Sequence, residues 1–179
     1  QRGDRGVGKV DLLGVLDGEF PAVIELKIHS ETGKKSDTPL RAFLEALAYC
    51  AAVEANIAEI NAEATKKFGV TFSSDQPQLV LLAPEQYWLS YLRNPNAGNW
   101  CTKLHDLADF VKSNIGIRSQ FLALRKFSLV MGTQENPPRI EGPCSICTVD
   151  ELKAESAVRD GAYQLANTAS DVSKLRVNA

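Results

Sequence analysis

The chain has 179 residues, of which 44% are apolar and 23% charged, and a formal net charge of −2. That length suits one domain with a sizeable core, and that composition excludes a chain disordered throughout. The near-neutral total excludes a nucleic-acid partner held by overall charge, so any such surface must be local. No apolar run reaches the roughly eighteen residues a membrane helix needs, so no membrane partner is expected. The polar, Gly/Arg-rich start carries no signal-peptide pattern. Cys50, Cys101, Cys144 and Cys147 form no regular framework, which points to a reduced, cytoplasmic protein.

Residues 1–7 read as a loop or strand lead-in. Arg2, Arg5 and Lys9 are either a solvated arm or phosphate contacts. From Gly8 to Ile28 two short apolar runs follow. Val10, Leu12, Val15 and Leu16 make the first; Ala22, Val23, Ile24, Leu26 and Ile28 make the second. Asp17-Gly18 between them predicts a hairpin, because such turns need positive φ. Asp11 interrupts the first run, and Glu25 and Lys27 the second. Charges inside apolar strands are costly unless paired or bound to a metal. Glu25 and Lys27 are two apart, so an extended strand points them to one face, and a hairpin brings Asp11 toward it.

Asp11, thirteen residues, then Glu25-Leu26-Lys27 resembles the PD-(D/E)XK nuclease superfamily. Val10 stands where that pattern usually has Pro. The resemblance covers residues 8–130 as an order of elements and Asp11–Tyr49 as residue-level motifs. It implies a restriction-endonuclease-like core and phosphodiester hydrolysis with DNA as substrate. Asp11 and Glu25 would hold Mg²⁺ or Mn²⁺, with the Leu26 carbonyl as a third contact. Asp11, Glu25 and Lys27 would be catalytic, Lys27 orienting water or offsetting charge on phosphorus. Many members have an upstream helix with a further acid, for which ten residues leave no room. The opening Gln favours a fragment of a longer product. Two other readings give the same letters. One is an inactive module of this fold that binds nucleic acid or serves structure; the other is an unrelated α/β domain with a Glu25–Lys27 or Asp11–Lys27 ion pair.

Residues 29–38 form a polar loop. His29 lies close after the motif, and Lys34 and Lys35 are placed to meet backbone phosphates. Thr38-Pro39 starts a helix, with Thr as cap and Pro as first residue. Its apolar spacing runs from Leu40 to about Lys67 as one long helix. Arg41, Glu45 and Tyr49 lie along one side of it. Glu45-Ala-Leu-Ala-Tyr49 looks like the Gln-x-x-x-Tyr motif of the superfamily's exonuclease-like branch, with Glu for Gln. Substrate contact by Lys34, Lys35, Arg41, Glu45 and Tyr49 is what the resemblance implies. The alternative for the helix row is a surface ion pair and a half-buried Tyr.

Gly69 stops the helix. Gln78–Ala83 reads as a strand buried on both faces. A short helix to about Arg93 carries Tyr87, Trp88 and Tyr91, expected in the core. Another helix runs from about Trp100 to Ser113. Gln120–Met131 reads as a last strand, bent near Arg125-Lys126. The alternation predicts an α/β fold, a central mixed sheet flanked by helices on both faces. The core domain is assigned to residues 1–133. Residues 134–179 are assigned as a linker, from Gln134 to Pro138, and a helical extension from Val149. That extension either packs back on the sheet or reaches a partner subunit, as in a homodimer. The lone Cys144-Ser-Ile-Cys147 lacks the further ligands zinc needs, and His29 and His105 are too distant in sequence to be counted.

Overall fold

The computed structural model describes residues 10–18, 20–28, 37–93, 99–126, 128–130, 139–141 and 144–158. The first two strands are β1 (Leu12–Leu16) and β2 (Phe20–Leu26). They form the expected antiparallel hairpin, with Leu12 opposite Ile24 and Leu16 opposite Phe20. Asp17 and Gly18 turn the chain with φ of 54° and 71°. Gly meets no steric cost there, and Asp is among the few side chains that tolerate it.

Helices α1 (Pro39–Ala55) and α2 (Ile57–Phe68) follow. The Thr38 hydroxyl caps α1 by accepting from the Arg41 amide at 3.3 Å. The single long helix expected from the periodicity is broken at Asn56. There the Asn56 side-chain amide donates to the Ala52 carbonyl at 2.7 Å, and its backbone amide bonds Val53 rather than continuing the α-helical ladder. Such local side-chain bonding competes with helix geometry. Gly69 ends α2 in the left-handed conformation, as its sequence position predicts.

Next come β3 (Gln78–Pro84), α3 (Glu85–Leu92), α4 (Trp100–Ile115) and β4 (Ser119–Arg125). β5 (Ser128–Val130) and β6 (Arg139–Glu141) pair as a separate ribbon, and β7 is Ser145–Thr148. The main sheet has the order β1-β2-β3-β4-β7. Its three central strands are parallel, and both edge strands are antiparallel to their neighbours. The fold is therefore α/β, with a five-stranded mixed sheet flanked by helices.

The expected last strand divides. Lys126 has φ of 53°, which turns the chain out of the main sheet before β5. The outer strand is instead β7, from the segment read in sequence as linker and extension. Residues 149–158 are helical (α5), and Val149 and Leu152 are buried in the common core. This part of the extension thus belongs to the sheet rather than trailing from it.

Helices α1, α3 and α4 meet on one face rather than two. The Phe121 ring of β4 contacts the rings of Phe43 from α1, Trp88 from α3 and His105 from α4. The physical reason is the strand order. β2, β3 and β4 are added in one direction, and right-handed crossovers between parallel strands then fall on the same side. Across the opposite face Ile24, Leu82, Leu122 and Leu124 are only half-buried. None of the four cysteines is in a disulfide. Among the described residues no helix is long and apolar enough to cross a membrane.

Candidate functional site

The site lies where β2 runs out of the sheet at its carboxyl end. Parallel register holds Glu25 beside Leu81 and Leu26 beside Leu82. The Lys27 amide still donates to the Leu82 carbonyl at 3.0 Å, so the backbone stays fixed one residue past the strand. Alternation turns Val23, Glu25 and Lys27 to the helix-covered face, beneath α1. Val23 is a core residue, and Glu25 is only 4% exposed. A carboxylate is therefore placed where the pattern of the strand would put an aliphatic side chain.

The hairpin brings Asp11 to the end of β2. Its Oδ2 accepts from the Leu26 amide at 2.9 Å, locking the chain ahead of β1 against the end of β2. Lys27 Nζ is 2.6 Å from Glu25 Oε1, 3.5 Å from Asp37 Oδ2 and 3.6 Å from Glu45 Oε2. Glu45 Oε1 accepts from the Tyr49 hydroxyl at 3.3 Å. Arg41 stands outside this group, 3.3 Å from Asp37 and with a side chain 74% exposed. Of the helix row, Glu45 thus reaches Lys27 and Tyr49 joins through Glu45, while Arg41 does not reach the motif; α1 packs over β2 and β3.

Carboxylates outnumber cations here, and the electrostatics follow. Burial pushes the Glu25 carboxyl up; the Lys27 hydrogen bond and charge oppose it, while Asp11 and Glu45 add to it, and the net direction is upward. For Lys27 burial works against the ammonium, but the hydrogen bond and charge of Glu25, with Glu45 and Asp37, outweigh it and hold the pKa above its ordinary value. Burial and then Glu45 raise Tyr49, which stays a neutral phenol and a hydrogen-bond donor.

One atom of the group has no partner. Glu25 Oε2 is buried and accepts no hydrogen bond from the described residues. Leaving a buried acceptor unsatisfied costs about 1–3 kcal/mol, and more when it is charged. An oxygen that bonds none of the described residues and sits among further carboxylates suits a cation. The oxygen donors of Asp11, Glu25 and the Leu26 carbonyl are the hard kind that Mg²⁺ and Mn²⁺ take.

Asp37 is the member of this group that the sequence reading missed. Its side chain pairs with Lys27 and Arg41, and its backbone carbonyl accepts from the Tyr87 and Tyr91 hydroxyls at 2.7 and 3.4 Å. An acid immediately before a Thr-Pro helix start, in the loop after the motif, was the available signal. Tyr87 and Trp88 are core residues, as their spacing suggested. Arg2, Arg5, Lys9, His29, Lys34 and Lys35 lie outside the described residues. No protein-family model matches the chain, and neither a curated protein nor a solved structure does. The function of this site is accordingly a matter for its own residues.

Proposed function

We propose that the chain is a metal-dependent nuclease that hydrolyses phosphodiester bonds in DNA, built on a restriction-endonuclease-like core of the PD-(D/E)XK superfamily. The observation that carries this reading is the buried, unpartnered Glu25 Oε2, beside a Lys and within reach of the charge of Asp11. Asp11 and Glu25 would hold Mg²⁺ or Mn²⁺, together with the Leu26 carbonyl. A bound ion of this kind supplies a water of lowered pKa and positive charge against the scissile phosphate.

The protein's own part is positioning and charge. Glu25 Oε1 aims the Lys27 ammonium, and Asp37 and Glu45 help keep it protonated. That ammonium orients the attacking water or offsets the charge that develops on phosphorus. The water oxygen bonds to phosphorus, the bridging P–O ester bond breaks, and a proton passes to the departing oxygen. Arg41, exposed at the rim, meets backbone phosphates, and the resemblance implies the same contact for Lys34 and Lys35. Glu45 and Tyr49 fix the wall of the site.

A second reading keeps the fold without turnover. It is favoured by the closeness of the Lys27–Glu25 pair and by the Asp11 oxygen already engaged with the Leu26 amide. The test is cleavage of plasmid and oligonucleotide DNA with Mg²⁺, Mn²⁺ and chelator, beside calorimetric Mn²⁺ titration. Metal-dependent cleavage supports the nuclease. Mn²⁺ binding with no cleavage of any DNA form selects the binding module, and no Mn²⁺ binding removes the nuclease reading from this chain.

A further inference from the structure

A second group of donors gathers on the same side of the sheet but draws on other elements. Cys101 and His105 are one turn apart on α4, so they share a face of that helix. Asp150 comes from the start of α5. A reciprocal cap fixes that start: the Thr148 hydroxyl accepts from the Glu151 amide at 3.2 Å, and Glu151 Oε2 accepts from the Thr148 amide at 2.8 Å. Val149 and Leu152 on either side are buried in the core, which leaves Asp150 turned outward beside α4. The Cys101 sulfur and one ligand atom each of His105 and Asp150 lie within 4.8 Å of one another.

Two details of His105 go beyond mere proximity. Its Nε2 is buried and makes no hydrogen bond with the described residues, although Asp150 Oδ1 is only 3.4 Å away. Its ring is held edge-on against Phe121, with centroids 5.2 Å apart and planes at 85°. Two atoms that stand this close without a hydrogen-bond geometry are spaced like neighbouring ligands of one ion. Zinc at about 2.0–2.2 Å from a nitrogen and an oxygen in tetrahedral geometry separates them by about 3.4 Å.

We infer that Cys101, His105 and Asp150 form a transition-metal site for Zn²⁺ or a chemically similar ion, with the fourth position open to water. One thiolate, one imidazole and one carboxylate are a soft and borderline donor set, which disfavours Mg²⁺ and sets this site apart from the oxygen-only group at Asp11 and Glu25. The buried sulfur and the exposed carboxylate give it a closed inner side and an open outer one. Coordination at about 2.0–2.3 Å draws the three side chains together from the 4.8 Å within which their ligand atoms lie. Binding releases the Cys101 thiol proton to solvent, so affinity rises with pH. The ion joins α4 to α5 and thus pins the strand β7 that closes the sheet. The inference does not depend on the nuclease reading.

The test is titration of the metal-stripped full chain with Co²⁺, read by absorption, followed by Zn²⁺. The parent takes up one equivalent that shows thiolate-to-cobalt charge transfer in the near ultraviolet, and Zn²⁺ bleaches it. Cys101→Ser abolishes the band. His105→Gln and Asp150→Asn, at partly exposed positions that leave the fold intact by circular dichroism, weaken binding at least about tenfold, since even groups that only orient ligands cost that much. Cys144→Ser with Cys147→Ser keeps the band, as does Glu25→Gln. A parent without charge transfer overturns the inference. So does a band that survives Cys101→Ser or disappears with Cys144 and Cys147.

Discussion

Two largely buried cations, each ringed by carboxylates, sit on the helix-covered side of this sheet, and they differ in one respect. Arg125 at the end of β4 has a side chain 14% exposed and is fully engaged. Its Nε reaches Glu85 of α3 at 3.0 Å, and its two terminal nitrogens take both oxygens of Glu155 at 3.1 and 2.7 Å. Lys27 at the end of β2 is 12% exposed and also meets carboxylates, but the nearest of them keeps a buried oxygen with no partner among the described residues. A planar guanidinium satisfies two carboxylates by its fork, whereas an ammonium is a point charge that leaves geometry unspecified. The first cluster ties β4 to α3 and α5 and asks for nothing further. The second leaves one carboxylate oxygen unbonded among the described residues, which is where the proposed cation would sit.

The largest expected effects would break this contrast outright. On the proposed function, Asp11→Ala or Glu25→Ala should abolish metal-dependent DNA cleavage and lower Mn²⁺ affinity, measured by calorimetry, because each would remove a ligand from the proposed cation. Arg125→Met should leave cleavage per folded molecule unchanged. If Arg125→Met lost cleavage as Glu25→Ala does, the division between the two clusters would fall.

Lys27→Ala comes next. Turnover should fall by a factor of about a hundred or more, while Mn²⁺ binding largely survives, since Lys27 is no inner ligand. An unchanged rate per folded molecule would reduce Lys27 to a salt-bridge partner. In denaturant melts the order reverses. Arg125→Met should cost about 2 kcal/mol, below the full value for breaking a buried pair because Glu85 and Glu155 keep some contact with water.

A pH profile sharpens the contrast further. The Glu25 carboxyl is raised in the folded protein, chiefly by burial, from its ordinary value of 4.5. The folded state then holds its proton longer than the unfolded one, so stability falls as pH rises from about 4.5 through the raised value. Without metal, Glu25→Gln should lack this decline and match or exceed the parent near neutral pH. Added Mn²⁺ should restore stability to the parent alone. A parent profile that coincides with that of Glu25→Gln across this range would show that Glu25 is not strained by burial.

The smallest effect belongs to the rim. Arg41→Ala removes an exposed pair four residues from Asp37 and should cost only a few tenths of a kcal/mol in a urea melt. Any larger loss should appear in DNA affinity at low salt and fade as salt is added.

Much of the candidate site was legible before the structure. Asp17-Gly18 announced its hairpin, and a two-residue spacing turned Glu25 and Lys27 to one face. Arg41, Glu45 and Tyr49 were readable as a helix row, of which Glu45 reaches Lys27, Tyr49 bonds Glu45 and Arg41 stays outside. Asp37 was not, because a loop acid has no period that says where it points. That Glu25 Oε2 finds no partner among the described residues was not legible either, since it depends on how several elements pack around it. The break at Asn56 was lost because the apolar spacing runs on across it, while the breaker is a side-chain bond to the preceding turn.

The sequence alone determined what is local: turn residues, helix starts and stops, the apolar runs of β2 and β3, and the charges set into β2. These follow from φ preferences, capping and side-chain alternation, which act over a few residues. Tertiary structure decided what depends on strand order. Adding β2, β3 and β4 in one direction put α1, α3 and α4 on a single face and so laid Glu45 against Lys27. Pairing of β7 with β4 carried a segment read as an extension into the sheet and set Asp150 beside Cys101 and His105. Residues 45 or more positions apart have no local preference for meeting; packing of the whole chain brings them together.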